Sequence, residues 1–403
     1  MLVDLAIVDV LQTASPPELG PLRGKKMSSL EIKRGVNIAI EGGKITYVGS
    51  EFVKANEYVD GSQLVVIPGF VDCHTHIPFV GSRSDEFIMR LSGKSYMDIM
   101  NAGGGIRSTV REVRSAPASR IVAESMGYLD AMLSLGVTTI EGKSGYGLDR
   151  DNELKQLKVL KTLNSIHPMD IIPTFLGAHA LTEEYRSAEE FLDSMADMFS
   201  ELGEYTDTVD IFCEKGVFNE MQSRKYLSKA KKMGFKTKLH ADELSSSGGG
   251  RLAVELGATS ADHLISADNE TLELLAKSDT VCTLLPGTSF FLNEDFARGR
   301  ELIDRGAIVA LASDFNPGSC NIYNPFLIIF LAVSRCGLSV EEAINAYTAN
   351  SAYALRLESR KGRVEQGYDA DLLLLKVKDY SEIVYNFSRD LVKGVIKSGK
   401  KVR

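Results

Sequence analysis

At 403 residues, 44% apolar and 25% charged, the chain exceeds one ordinary domain and has a globular composition, with room for a barrel plus a small attached domain. Its net charge of −8 leaves no basic footprint, so nucleic acid is not an expected partner, and no stretch approaches the ~18 apolar residues of a membrane span. MLVDLAIVDV carries Asp4 and Asp9 and no basic region, unlike a secretory signal, and five scattered cysteines (Cys73, Cys213, Cys282, Cys320, Cys336) read as reduced core thiols of a cytoplasmic protein.

Residues 1–63 read as short strands and turns, and VNIAIEGGKITYVGS predicts a hairpin closed by Gly42-Gly43. Between 64 and 361, eight apolar runs read as strands: LVVIPGFVDCH, VTTIEGKS, IIPTFLGAH, TVDIFCEKG, KTKLHADE, TSADHL, TVCTLLPG and AIVALASD. Helical patterns lie between most of them. Leu154, Leu157, Leu160 and Leu163 form one stripe; Met221, Leu227, Ala230 and Met233 form another, stopped at Gly234. Ser339 to Glu342 is a capping-box start for a helix predicted to reach Leu357. Residues 362–403 return to β texture in DLLLLKV and GVIKSGKKVR.

The expectation is an α/β protein: a (β/α)8 TIM barrel over 64–361, with a small β-sandwich domain built from 1–63 plus 362–403. A doubly wound open sheet competes, but no GxGxxG opens an early helix. In a barrel the active site lies at the C-terminal ends of the strands, and the polar residues of interest fall there.

Five of the six histidines stand at such ends. His74 and His76 are an i, i+2 pair, able to face one cation from a strand, or else a hydrogen-bonded pair lining a pore. His240 and Asp314 finish strands too apolar to carry them without partners, and imidazoles with a carboxylate suit Zn2+ or Fe2+. Asp314 also fits an Asx turn ahead of Asn316-Pro317-Gly318. His263 stands alone, so a satisfied core histidine is open; Glu243 faces the same cavity or begins a helix's acidic first turn. His179 ends a strand among small residues, whereas His167 precedes one and belongs to the opposite rim. Arg83, in the loop VGSRSDE, is solvated surface or a holder of a substrate carboxylate. Tyr146 lies in the glycine-flanked KSGYG loop. Gly103-Gly104-Gly105 is a turn without a P-loop ending, and SSSGGG from Ser245 to Gly250 reads as a hinge.

PGFVDCHTH, KLHAD, SADHL, SDFNPG and GYDADLLLL together resemble the amidohydrolase superfamily. EGKSGYGLD, TFLGAHA, DIFCEKGVF, LHADEL, LLPGTSF and ASDFNPGS narrow the resemblance to its imidazolonepropionase family. That resemblance implies one Zn2+ or Fe3+ per subunit, held by His74, His76, His240 and Asp314. It implies that Arg83, Tyr146, His179, Glu243, Asn316, Gly318 and Ser319 contact a small-molecule substrate, and that Asp314, His263 and Glu243 carry the catalysis. The reaction it implies is hydrolysis of 4-imidazolone-5-propanoate to N-formimidoyl-L-glutamate, in a cytoplasmic homodimer. A lysine on the fourth strand bridges two metals in binuclear relatives, and here Lys215 ends that run. Cys73 in place of a common proline, Ile77-Pro78 and Ser313 depart from the family pattern without removing a ligand. Another hydrolase of the superfamily, a deaminase or cyclic amidase, is the alternative, and a non-catalytic scaffold on a degenerate barrel is the rival class.

Overall fold

The structure is a computed structural model that describes residues 2–94, 98–99 and 102–403. Seven strands precede the barrel: β1 (Leu2–Val10), β2 (Gln12–Ser15), β3 (Glu31–Lys33), β4 (Val36–Glu41), β5 (Lys44–Gly49), β6 (Lys54–Asp60) and β7 (Val65–Pro68). Eight parallel strands then pair in sequence order: β8 (Phe70–Asp72), β9 (Val137–Lys143), β10 (Asp170–Ala178), β11 (Thr208–Cys213), β12 (Lys236–Ala241), β13 (Ser260–His263), β14 (Val281–Leu284) and β15 (Val309–Leu311). A parallel bridge from Thr75 to Phe315 closes the ring, with Asp314 N–H donating to His74 O (3.0 Å) and His76 N–H to Phe315 O (2.9 Å).

Alternation along these strands decides what faces the axis. Val209, Ile211 and Cys213, like Leu239 and Ala241, pack outward in the main apolar core, while Asp210, Lys238 and His240 project into the barrel. All eight apolar runs therefore contain a barrel strand, but the first one is divided. Val65–Pro68 leaves the barrel and pairs parallel with β2 and antiparallel with β16 (Leu372–Leu375). It reads as continuous apolar because both faces are covered: Val65 and Ile67 meet the barrel core, and Val66 meets the core of the small domain. Gly69 is the break, where a Cβ would collide with the Thr138 side chain.

The terminal strands form two sheets, β5-β4-β1-β6 and β18-β17-β16-β7-β2-β3, with β17 at Val392–Lys397 and β18 at Lys400–Lys401. Leu5, Ile7, Ile38 and Ile40 of the first sheet pack against Val66, Leu372, Leu374 and Ile396 of the second. The β4–β5 hairpin turns at Gly42 and Gly43, whose φ of +58° and +79° are the left-handed pair that a two-residue turn needs.

Two helical expectations need correction. The helix Glu220–Lys232 buries Ser223, Tyr226, Leu227 and Ala230, while Met221 and Met233 are 80% and 47% exposed. Leu227 and Ala230 keep their expected places, but the stripe includes Ser223 and Tyr226, on the side away from Met221, because the strand-facing side is set by contacts with β11 and β12 and not by side-chain hydropathy alone. The capping box at Ser339 and Glu342 forms, but the helix Val340–Asn345 passes through a wide turn at Ala346–Asn350 and ends at Ala354, short of Leu357. That wide turn carries Tyr347, whose hydroxyl donates to Asp72 Oδ2 (2.9 Å); Asp72 Oδ1 in turn accepts from Ser313 N–H (3.0 Å). The segment holding the last barrel strand is thereby pinned to the first.

Candidate active site

His74 and His76 sit just past β8, His240 is in β12, His263 ends β13, and Asp314 follows β15. All are buried. Asp314 Oδ1 lies 3.4 Å from His74 Nε2 and 3.2 Å from His76 Nε2, and His76 Nε2 lies 3.4 Å from His240 Nε2. Nitrogen and oxygen ligands placed tetrahedrally at about 2.1 Å from one ion stand about 3.4 Å apart. His74 Nε2 and Asp314 Oδ1 have no hydrogen-bond partner in the protein despite their burial. An apolar or purely structural cluster would not leave such groups unpaired. The donor set therefore fits a small transition-metal ion, and this is the candidate metal centre.

Several backbones here are left-handed: φ is +55° at Asp314, +78° at His263 and +50° at Asp242. Non-glycine residues take that conformation at a cost, which the fold carries where side chains must be turned inward at strand ends. Asp242, for its part, accepts N–H groups from Ser247 through Gly250 and so shapes the serine-glycine loop as a nest rather than a hinge.

Beneath the centre lies a charged layer that sequence reading passed over. His74 Nδ1 is 2.6 Å from Asp262 Oδ2. His240 Nδ1 is 3.1 Å from Asp210 Oδ2, in contact but without a hydrogen bond. Lys143 reaches Asp210 Oδ2 (2.7 Å) and Glu141 Oε2 (2.9 Å), and Lys238 reaches Glu141 Oε2 (2.7 Å) and Cys73 O (2.9 Å). All five charged residues are buried. Carboxylates behind ligand histidines fix ring orientation and tautomer, which is what Asp262 does for His74. The available signal was a charged residue at alternate positions of strands that are otherwise apolar.

Close to His74 and Asp314, His263 has neither ring nitrogen hydrogen-bonded, and its Nε2 is 3.5 Å from Glu243 Oε2. Burial pushes the His263 imidazole down to about 4, and it is neutral at pH 7. Burial, then the nearby Asp314 charge, raises the Glu243 carboxyl well above its usual range. Asp314 goes the other way: burial opposes its charge, but the imidazoles of His74 and His76 close to Oδ1 outweigh that and hold it well below the ordinary range. A second group was missed here, Thr288, whose hydroxyl donates to Asp314 Oδ2 at 2.5 Å.

His179 stacks on His76 with ring centroids 5.0 Å apart, and its Nδ1–H donates to Gly145 O (2.9 Å). Burial, followed by the His76 charge, lowers its pKa to about 3. The Tyr146 ring stands 5.5 Å from His179 and 6.0 Å from His76, completing one wall. Asn316 spends its side chain on its own loop, accepting from Gly318 N–H (2.8 Å) and Ser319 N–H (2.7 Å) and donating to Asp314 O (2.7 Å). Arg83 lies against Gly318, where any Cβ would collide with its guanidinium. His167 is remote, between the helix Arg150–Ile166 and β10. Lys215 is exposed beyond β11, so it does not supply a bridging lysine; Phe212 fills that side, its ring 5.8 Å from His240.

A closed parallel barrel with three imidazoles and an acid converging at its strand ends defines a metal-dependent hydrolase of the amidohydrolase type, and the chain belongs to the amidohydrolase family, whose model matches residues 65–402. Within it the chain falls among the imidazolonepropionases. The imidazolonepropionase of Kosmotoga olearia is 59% identical over 402 residues, covering 100% of this chain and 99% of that one. That of Bacillus cereus is 44% identical over 407 residues, covering 99% and 96%. Solved structures share the fold at low identity. An adenosine deaminase from Xanthomonas campestris with bound zinc has a TM-score of 0.70 at 16% identity (99% and 93% covered). An atrazine chlorohydrolase from Arthrobacter aurescens complexed with zinc has 0.69 at 14% (99% and 95%).

Proposed function

We propose that this chain hydrolyses 4-imidazolone-5-propanoate to N-formimidoyl-L-glutamate, a step of histidine breakdown, in the cytoplasm. The observation that carries the proposal is the convergence of Asp314 on His74 and His76, with His263 and Glu243 beside them, in a chain 59% identical to a named imidazolonepropionase. His74, His76, His240 and Asp314 would hold one Zn2+ or Fe3+ per subunit; zinc is the ion in both structural neighbours. Such an ion, when bound, supplies Lewis-acid polarisation and makes water nucleophilic near neutral pH.

The remaining work falls to side chains. Water adds across the ring C–N amide: its oxygen bonds to the carbonyl carbon, and its proton ends on the departing ring nitrogen. Asp314, ionised at pH 7, accepts that proton and delivers it as the C–N bond breaks. Thr288 donates to Oδ2 and fixes the orientation of the carboxylate. His263, as a neutral imidazole, orients the nucleophile and donates to the oxyanion that develops on the carbonyl. Glu243, with its carboxyl pushed towards the protonated form, hydrogen-bonds the imidazolone ring. Arg83 binds the propanoate, with Tyr146 and His179 walling the ring and the Asn316–Ser319 loop offering backbone groups. Assembly as a homodimer is part of the proposal.

Two measurements test it. Chelator-treated protein should lose turnover of imidazolone propanoate and regain it with Zn2+ or iron; full activity without metal, or turnover of an aminated base in its place, overturns the reading. Arg83→Ala should lower kcat/KM about 10–100-fold, chiefly through KM, since a charge-assisted pair to the carboxylate is lost. An unchanged kcat/KM removes Arg83 from the tail.

A further inference from the structure

We infer that Glu86 is a positioning residue that aims Arg83 and sets the site's preference for a carboxylate tail, with the Gly103-Gly104-Gly105 turn as the wall behind it. The inference rests on the reading of Arg83 as the group that binds the substrate's propanoate. Glu86 is the third residue of the helix Ser84–Leu91, where an acid ordinarily serves the helix N-terminus from solvent. Here it is only 9% exposed, and its Oε2 takes both Arg83 Nε (2.9 Å) and Arg83 Nη2 (2.8 Å).

A guanidinium presents a fixed fork of donors, so engaging one edge determines what the other can reach. With the Nε edge committed to Glu86, the end bearing Nη1 remains, and it rests on Gly318, whose N–H is held by Asn316 Oδ1 (2.8 Å). Arg83 is thus clamped between an acid and the loop that follows Asp314. An unclamped arginine would lose more side-chain freedom on binding, which weakens affinity.

The glycine turn supplies the second, independent observation. A Cβ on Gly104 would stand 3.0 Å from both Cδ and Oε1 of Glu86 and 2.7 Å from Ile99 Cγ2. Gly103 and Gly105 have φ of +83° and +78°, so the turn is shaped to let backbone close on the acid. The three glycines make contact with Glu86 possible, and the Arg83–Glu86 pair is neutral as a whole. The remaining edge of Arg83 is therefore what a carboxylate tail reaches.

Steady-state kinetics of the wild type, Glu86→Ala, Glu86→Gln and Gly104→Ala, with melting temperatures, test this on two substrates: imidazolone propanoate and the imidazolone whose side chain ends in methyl. Glu86→Ala should raise KM for the acid about tenfold or more, with kcat within about twofold and KM for the neutral analogue unchanged. Gly104→Ala should move KM the same way, and Glu86→Gln, which keeps an oxygen acceptor for Arg83, should recover most of the loss. An unchanged or lower KM for the acid overturns the inference, as does an equal effect on both substrates, the pattern of a merely structural helix residue. A wild type inactive on imidazolone propanoate overturns the functional reading itself, a result separate from the variant pattern.

Discussion

Asp314→Asn should leave a folded barrel whose turnover of imidazolone propanoate is lower by about 10^4-fold, the upper range for removing a general acid–base group. Asparagine is the informative replacement because position 314 has φ of +55°, a conformation that Asn tolerates and alanine does not. The amide keeps one oxygen that can face His74 and His76, while its NH2 can donate to the Thr288 hydroxyl. What it cannot do is take a proton. The carboxylate is ionised because the two imidazoles overcome the burial that opposes its charge, so at neutral pH the wild type has its acceptor ready. A melting curve close to wild type with activity within tenfold would show that the proton moves by another route.

Lys143→Met should destabilise the protein by about 3–5 kcal/mol at pH 7, the usual cost of stranding buried charge. Lys143 serves Asp210 and Glu141 at 2.7 and 2.9 Å, and its loss leaves those carboxylates and Asp262 sharing Lys238. In the wild type, burial would raise Glu141 and Asp210, but Lys143 and its neighbours lower both. Groups with depressed folded pKa values contribute stability in full above the unfolded carboxylate range and lose it as pH falls through the folded values. Without Lys143 the sign reverses. The carboxylates would be raised by burial, so the variant's deficit should be largest near neutrality and shrink on acidification towards pH 5. Denaturant midpoints between pH 5 and 8 measure this; a pH-independent deficit would mean that Lys143 acts by packing alone.

The barrel was legible because its strands are apolar on their outward faces and its helices carry stripes such as Leu157, Leu160 and Leu163, which are buried as the pattern predicts. The His74–His76 pair was legible because i, i+2 spacing turns both rings to one side, here just past β8 around the Thr75 bridge, and the structure brings them to Asp314 and His240. Glu141, Lys143, Asp210, Lys238 and Asp262 escaped notice for a physical reason. A charge at every second position of a strand is the ordinary signature of a solvent-facing side, and only closure of the sheet turns that side into an interior. Val65–Pro68 could not be separated from β8 by hydropathy, since both of its faces are covered. Thr288 and Glu86 have partners set by tertiary contact: Thr288, in the helix Pro286–Leu292, meets Asp314 beyond the end of β15, and Glu86 turns inward from a position that usually faces water.

The braiding of β7 between β2 and β16 has a bearing on biosynthesis. Translation delivers β7 immediately before the first barrel strand, yet its antiparallel neighbour, Leu372–Leu375, leaves the ribosome only after every barrel unit has done so. A nascent chain therefore carries an open, apolar strand edge through most of its elongation, a state prone to aberrant pairing. Early stop codons just ahead of position 372 should accordingly yield insoluble product even though all eight barrel strands are encoded.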